Sequence, residues 1–313
     1  MCLSDYLVQK NIGSGTFGRV YLAQSKDGKE GLVALKIIDP VYTARGATII
    51  NKEFSLGQRI GQVCPQTVRY LRIFLTRLPR NPLYPEEWSE KACLVIVMSY
   101  LPGLSMERYV QHNFKHHKTI PPETCLAFLI QTSQIVQSLH RSNFIHGDLN
   151  LGNILLANHQ YHLIDLGGAG DLSVTDSSRP ECVRLDKIVT GPIYMLPSLY
   201  RRISDDRQYF VQHPVDHTNV VNYMKANDVY ALLVSGLVLL HSAFLMQPEA
   251  QTVLIKEPAA VPKMFDHYRR IHLHHPLTDR LLSLIISLYQ RFHSDESFYL
   301  GIDELVNRLI SLV

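Results

Sequence analysis

Residues 5–24 alternate apolar and polar side chains on either side of Ile12-Gly13-Ser14-Gly15-Thr16-Phe17-Gly18-Arg19-Val20. A period of two marks a half-buried strand, so the stretch predicts a hairpin with a glycine-rich tip. Gly31–Ile38 is a short apolar run and predicts a third strand, interrupted chemically by Lys36. Residues 47–60 change to the helical period, with Glu53 as the one carboxylate of that helix. Residues 67–75 and 93–100 are apolar again and predict two more strands, separated by a polar insertion bearing Pro79, Pro82 and Pro85. Further on, 121–140, 277–292 and 302–312 carry the apolar stripe of amphipathic helices. Between the first two of these lies strand–turn–strand at 144–156, then a hairpin with Asn158-His159-Gln160 at its tip. Residues 111–118, with His112, His116 and His117, read as a solvated loop rather than a metal site, and His267, His272, His274 and His275 read equally blandly.

Residues 229–246 are apolar on all sides. They sit at the short end of the roughly 17–25 residues that span a bilayer, and they contain Tyr230, Ser235 and His241. The centre of a large helical core has the same composition, and a buried helix with no transmembrane role is the expectation.

Chemistry concentrates in Phe144-Ile145-His146-Gly147-Asp148-Leu149-Asn150-Leu151-Gly152-Asn153 and in Leu163-Ile164-Asp165-Leu166-Gly167. Asp and Asn at strand ends are commonly turn-formers whose side chains cap their own backbone. Here the apolar flanks are long enough to bring Asp148, Asn153 and Asp165 to one spot. One carboxylate can then orient a hydroxyl while an amide and a second carboxylate hold a hard cation through oxygen. Lys36 inside an apolar strand needs a partner, because burying an unpaired ammonium is costly, and Glu53 is the candidate. The glycines at 13, 15 and 18 let a backbone close over phosphates, a weak signal alone because flexible hairpin tips are common.

Taken together, these motifs resemble the eukaryotic-type protein kinase family over nearly the whole chain. Gly13, Gly15, Gly18 and Val20 resemble its glycine-rich loop, Val33-Ala34-Leu35-Lys36 its lysine strand, Glu53 its helix glutamate, and Thr190-Gly191-Pro192-Ile193-Tyr194-Met195-Leu196-Pro197 its Tyr-Met-x-Pro segment. The resemblance implies an α+β, bilobal fold with a β-rich lobe over residues 1–101 and a helical lobe over 102–313. It implies catalytic roles for Asp148, Lys36, Glu53 and Asn153, and metal ligation by Asn153 and Asp165. ATP contacts are implied at Ile12, Gly13, Ser14, Gly15, Thr16, Phe17, Gly18, Val20, Ala34, Lys36, Met98, Ser99, Leu101 and Leu155, with Met98 as gatekeeper and Ser99-Tyr100-Leu101 as hinge. ATP and Mg2+, with Mn2+ as the alternative ion, are the implied cofactors, and a protein the implied substrate, Ser/Thr favoured over Tyr. Asp228 falls where the family starts its central buried helix. Residues 168–189, with Ser173, Thr175, Ser177 and Ser178, fall where it has a mobile activation segment.

Four positions depart from the family pattern. Gly147 replaces the arginine before the catalytic aspartate, so control by phosphorylation of the activation segment is not expected. Asn150 replaces a phosphate-contacting lysine, and Gly191 the threonine that bonds that lysine. Ser198 replaces a glutamate whose arginine partner falls at Tyr299. His-Gly-Asp-Leu-x-x-x-Asn also resembles antibiotic and choline phosphotransferases, so a small-molecule phosphotransferase is one rival reading. A pseudokinase scaffold that binds nucleotide is the other.

Composition adds bounds rather than direction. The chain has 313 residues, 46% apolar and 19% charged, which fits a globular protein with a sizeable core. A net charge of +3 is too mild to argue for nucleic acid or a membrane surface. Five cysteines, Cys2, Cys64, Cys93, Cys125 and Cys182, are odd in number and form no Cys-x-x-Cys pair, so neither a disulfide framework nor a zinc site is expected. Reduced thiols and the lack of a signal-like N-terminus predict a cytoplasmic protein, delivered into a host cell if it is a bacterial effector.

Overall fold

Alternating residues of five strands separate into two faces, and that separation organises the first part of the chain. In the computed structural model, residues 2–15, 17–45, 47–175, 190–205, 216–272 and 275–313 are described. The chain divides into two compact units, Met1–Pro102 and Gly103–Val313.

The first unit carries β1 (Tyr6–Gly15), β2 (Gly18–Ser25), β3 (Leu32–Ile38), α1 (Pro40–Arg45), α2 (Ala47–Val63), β4 (Tyr70–Arg77) and β5 (Ala92–Ser99). The sheet order is β1-β2-β3-β5-β4, every pair antiparallel. Leu35, Ile37, Tyr21, Val95 and Val97 face one way and join Leu78, Tyr84 and Trp88 in a single apolar cluster. The proline-bearing insertion is therefore a second layer on the sheet. Its Tyr84 ring meets Tyr21 edge-on at 5.3 Å, and Arg19 stands over the Trp88 ring at 5.7 Å. At the β1–β2 tip, a Cβ on Gly18 would lie 2.1 Å from the Ile37 carbonyl oxygen, so only glycine allows that approach.

The second unit carries β6 (Leu104–Ser105), α3 (Met106–Lys115), α4 (Pro122–Arg141), β7 (Phe144–Ile145), β8 (Ile154–Ala157), β9 (Gln160–Leu163) and β10 (Gly170–Asp171). Helices follow: α5 (Pro197–Asp205), α6 (His217–Leu240), α7 (Ala243–Met246), α8 (Pro248–Lys256), α9 (Val261–Met264), α10 (Asp266–Ile271), α11 (Thr278–Ser294) and α12 (Ile302–Ile310). Asn158 and His159 both have positive φ, which gives the β8–β9 hairpin a two-residue turn matched to strand twist.

Helix α6 is the core of this unit, with 89% of its most apolar 18-residue window buried. It has the length and composition to cross a membrane, and the surrounding helices account for its apolar surface instead. It begins at His217, capped by Asp216, whose carboxylate accepts from the Asn219 amide at 3.1 Å. Asp228 thus lies mid-helix rather than at the start, because the Asp216 cap begins the helix well upstream. Residues 111–115 correct the expectation of a loop. Ser105 caps α3 by accepting from the Arg108 amide at 3.4 Å, and Met106 and Val110 anchor the helix inside, which carries it through Lys115.

Candidate active site

Each unit carries its own cluster of the residues singled out above. In the first unit, strand register places Val20 opposite Lys36, and Ala34 opposite Met98. Lys36 and Ala34 are two residues apart, so Val20, Ala34, Lys36 and Met98 share the sheet face opposite the insertion. Lys36 is buried in the middle strand, and its ammonium donates to both oxygens of Glu53, at 2.8 and 3.0 Å. The Tyr70 hydroxyl donates to the same carboxylate at 3.0 Å. Tyr70 reaches it because α2 has Gly57 one turn past Glu53, where a Cβ would stand 2.4 Å from the Tyr70 ring. Neither Tyr70 nor Gly57 was visible in the spacing of the sequence.

Ile12, Gly13, Ser14, Gly15, Phe17 and Gly18 occupy the β1–β2 hairpin, while Thr16 lies outside the described residues. Ser99 ends β5, with its amide donating to the Arg69 carbonyl and its hydroxyl accepting from the Arg69 amide at 3.0 Å. Leu101 follows in irregular chain, and Leu155 sits in β8 of the second unit, opposite Ser105 and His162.

In the second unit, Asp148 is held from several sides. The Asn153 side-chain nitrogen donates to its carboxylate at 3.0 Å and to its carbonyl at 2.8 Å. Asn150 donates to the Asp148 carbonyl at 3.2 Å, while its own oxygen accepts from the amides of Gly152 and Asn153 at 2.9 and 3.2 Å. Asn150 is therefore the cap of the single helical turn at Leu151–Asn153. The position read as a lost phosphate contact has become a brace for the loop.

His146 joins the two acid-bearing turns, a role that spacing did not reveal. Its Nδ1 accepts from the Asp148 amide at 3.3 Å, which places the ring proton on Nε2 to donate to the Ile164 carbonyl at 3.2 Å. Burial holds this imidazole below its ordinary pKa and so neutral. Asp165, next after Ile164, has φ +56 and accepts from the Gly167 amide at 3.3 Å. Burial first, and the charge of Asp165 second, push the Asp148 carboxyl up to about 7.

Asp228 supports this loop from α6. One oxygen accepts from the His146 amide at 3.0 Å and lies 3.0 Å from His140 Nε2, while the other accepts from the Gly147 amide at 3.0 Å. Gly147 has φ +74, and a Cβ there would lie 2.2 Å from the Gly168 carbonyl oxygen. This explains the missing arginine: the backbone leaves no room for a side chain. Gly147→Arg is expected to cost about 3 kcal/mol or more in stability, read as a lower urea midpoint. An unchanged midpoint would contradict this account of the glycine.

Thr190, buried, donates its hydroxyl to the Gly147 carbonyl at 2.6 Å. A threonine hydroxyl therefore reaches the Asp148 turn from the residue before Gly191, bonding backbone rather than side chain. Ser198 is buried and Tyr299 is 43% exposed, and Arg201 instead pairs with Glu296 at 3.2 Å. The His112 and His116 rings lie 4.4 Å apart and tilted at the C-terminal end of α3, and no group of three or more His, Cys, Asp or Glu side chains placed for a metal occurs among the described residues. Ser173 donates to Asp171 at 2.6 Å, and Ser177, Ser178, Cys182 and His274 lie outside the described residues.

A family model of the protein kinase domain matches residues 6–291. The chain belongs to the protein kinase domain family. Among curated proteins it is 28% identical over 195 residues to serine/threonine-protein kinase SSN3 of Phaeosphaeria nodorum, covering 62% of this chain and 41% of that protein. It is 28% identical over 200 residues to the probable serine/threonine-protein kinase zyg-1 of Caenorhabditis elegans, covering 63% of this chain and 24% of the relative. Human serine/threonine-protein kinase Nek11 is 26% identical over 183 residues, 56% of this chain and 26% of its own length. The chain thus spans between about a quarter and two fifths of the length of these relatives.

Proposed function

We propose that this chain transfers the γ-phosphoryl group of ATP to a serine or threonine hydroxyl of a protein, in a reaction dependent on Mg2+ or Mn2+. The observation that carries this reading is the Asp148 carboxylate, fixed by Asn153 and facing the field of Asp165. Such a carboxylate orients an incoming hydroxyl and accepts its proton as the oxygen attacks phosphorus. Lys36, oriented by Glu53, supplies a fixed positive charge for the phosphates, and the amides of the Gly13–Gly18 tip supply donors.

The donor set suits a hard cation. Asn153 directs its nitrogen to Asp148, which leaves its amide oxygen to act with the Asp165 carboxylate. A bound divalent ion there neutralises phosphate charge in the transition state. Names of the relatives support Ser/Thr over Tyr. A thiol-reducing, cytoplasmic setting belongs to the same reading, supported by Cys2, Cys93 and Cys125 as thiols.

Incubation with radiolabelled ATP, generic protein acceptors and a panel of sugars and aminoglycosides tests this directly. Label on protein Ser or Thr is expected. Label only on small molecules supports the small-molecule phosphotransferase, and nucleotide binding without transfer supports the scaffold.

The raised Asp148 pKa gives a second test. As the proton acceptor it must be ionised, so kcat/KM is expected to rise with pH, at values below the metal-free pKa of about 7 because a cation held by Asn153 and Asp165 would offset the Asp165 charge. Its stability effect runs the opposite way. The folded carboxyl holds its proton up to about 7, whereas the unfolded one loses it near the ordinary 3.8. Between those values the native state binds more protons, so this group's contribution to stability falls as pH rises. An Asp148 carboxyl that titrates at the ordinary 3.8 in the metal-free protein, followed by carbon NMR, would contradict this account.

A further inference from the structure

Away from the Asp148 loop, the second unit holds a cavity of about 330 Å³. Pro192 and Met195 line one side, Arg201 of α5 and Tyr230 of α6 another, and Lys256 and His293 the rest. Volumes of this order accept a side chain with its neighbouring backbone. Its walls are tied to one another. The Tyr230 hydroxyl and His293 Nε2 are 3.1 Å apart, Gln290 donates to the Pro258 carbonyl at 3.2 Å, and Tyr289 donates to the Leu254 carbonyl. The Leu196 amide donates to Asn227 of α6 at 2.9 Å, which pins the Pro192–Pro197 wall to the core helix.

The charged side chains that line the cavity are both basic. Arg201 and Lys256 are cations, and no carboxylate is among the described lining residues. His293 adds no charge at neutral pH, because burial and then the Arg201 guanidinium bring its pKa down to about 4. Arg201 already has Glu296 at 3.2 Å, with both side chains about half exposed, 48% and 57%. A pair so exposed contributes little, and Lys256 is the cation on which recognition of an incoming carboxylate depends.

Position links the cavity to the loop of Asp148. The segment that lines it begins at Thr190, whose hydroxyl is bonded to the Gly147 carbonyl, one residue before Asp148. An extended peptide advances about 3.3–3.6 Å per residue, so a few residues carry a substrate chain along this segment from the acceptor hydroxyl.

We propose that this cavity is a specificity pocket that receives an acidic side chain of the protein substrate, a few residues from the hydroxyl presented to Asp148. The proposal rests on the phosphotransfer reading above for the identity of its ligand, and its test is by binding so that the two can fail separately. The probes are fluorescein-labelled peptides with a central serine and one glutamate moved through the five positions on either side, each with a glutamine counterpart and a leucine counterpart. Fluorescence anisotropy is expected to show one register in which glutamate binds about five- to tenfold more tightly than glutamine, the worth of one charge-assisted contact. Lys256→Glu is expected to abolish that preference, with the loss in transfer falling on KM rather than kcat. Lys263→Glu, a charge reversal outside the cavity, is expected to retain it. Equal binding of every glutamate and glutamine pair overturns the proposal, as does a preference that survives Lys256→Glu or a leucine peptide that binds more tightly. A glutamate preference that depends on Lys256, found without any phosphoryl transfer to these peptides, upholds the pocket and counts against the phosphotransfer reading instead.

Discussion

Replacing Asp148 by alanine is expected to lower phosphoryl transfer by about 10²–10⁴-fold while nucleotide still binds. The loop should survive the change, because much of its bracing does not involve the Asp148 carboxylate. Asn153 and Asn150 both bond the Asp148 carbonyl, and Asn150 caps the following turn through main-chain amides. Stability is expected to hold or rise, since the substitution removes a carboxyl that burial and Asp165 both disfavour in its ionised form. Transfer assays, calorimetric titration with nucleotide and a thermal melt separate the three effects. Transfer at the wild-type rate by Asp148→Ala would remove Asp148 from the mechanism.

The largest expected loss of stability is at Asp228. Its carboxylate is fully buried, bonds the His146 and Gly147 amides and lies 3.0 Å from His140. Asp228→Ala strands two buried amides and one imidazole. Each buried group left unpaired costs about 1–3 kcal/mol, so a total of at least about 3 kcal/mol is expected, seen as a lower urea midpoint at unchanged slope. Asp228→Asn should recover only part of this, because its NH2 would face a donor. A loss below about 1 kcal/mol would mean the loop has other support.

Local spacing made the cluster of the second unit legible. Asp148, Asn153 and Asp165 lie within two adjacent turns, so sequence distance is close to spatial distance. The Lys36–Glu53 pair was legible for a different reason, since a lysine in an apolar strand needs a counter-charge and the next helix has one carboxylate. Residues whose role depends on tertiary packing could not be read. Tyr70 reaches Glu53 only because Gly57 leaves space for its ring, and His146 bridges two turns through opposite ring nitrogens. The insertion read as a polar linker because its Leu78, Tyr84 and Trp88 are too sparse to show a period, yet they close the sheet. Residues 111–115 read as loop because their exposed histidines hid the two inward side chains that hold α3. At position 150 the family pattern suggested a loss, and only the hydrogen bonds show the replacement role.

Gly147 has a further consequence, for the paths open to this chain under mutation. Both its left-handed backbone and the Gly168 carbonyl 2.2 Å from a Cβ exclude a side chain. Reversion to arginine therefore cannot proceed by a single viable step, since the backbone around residue 168 must move first.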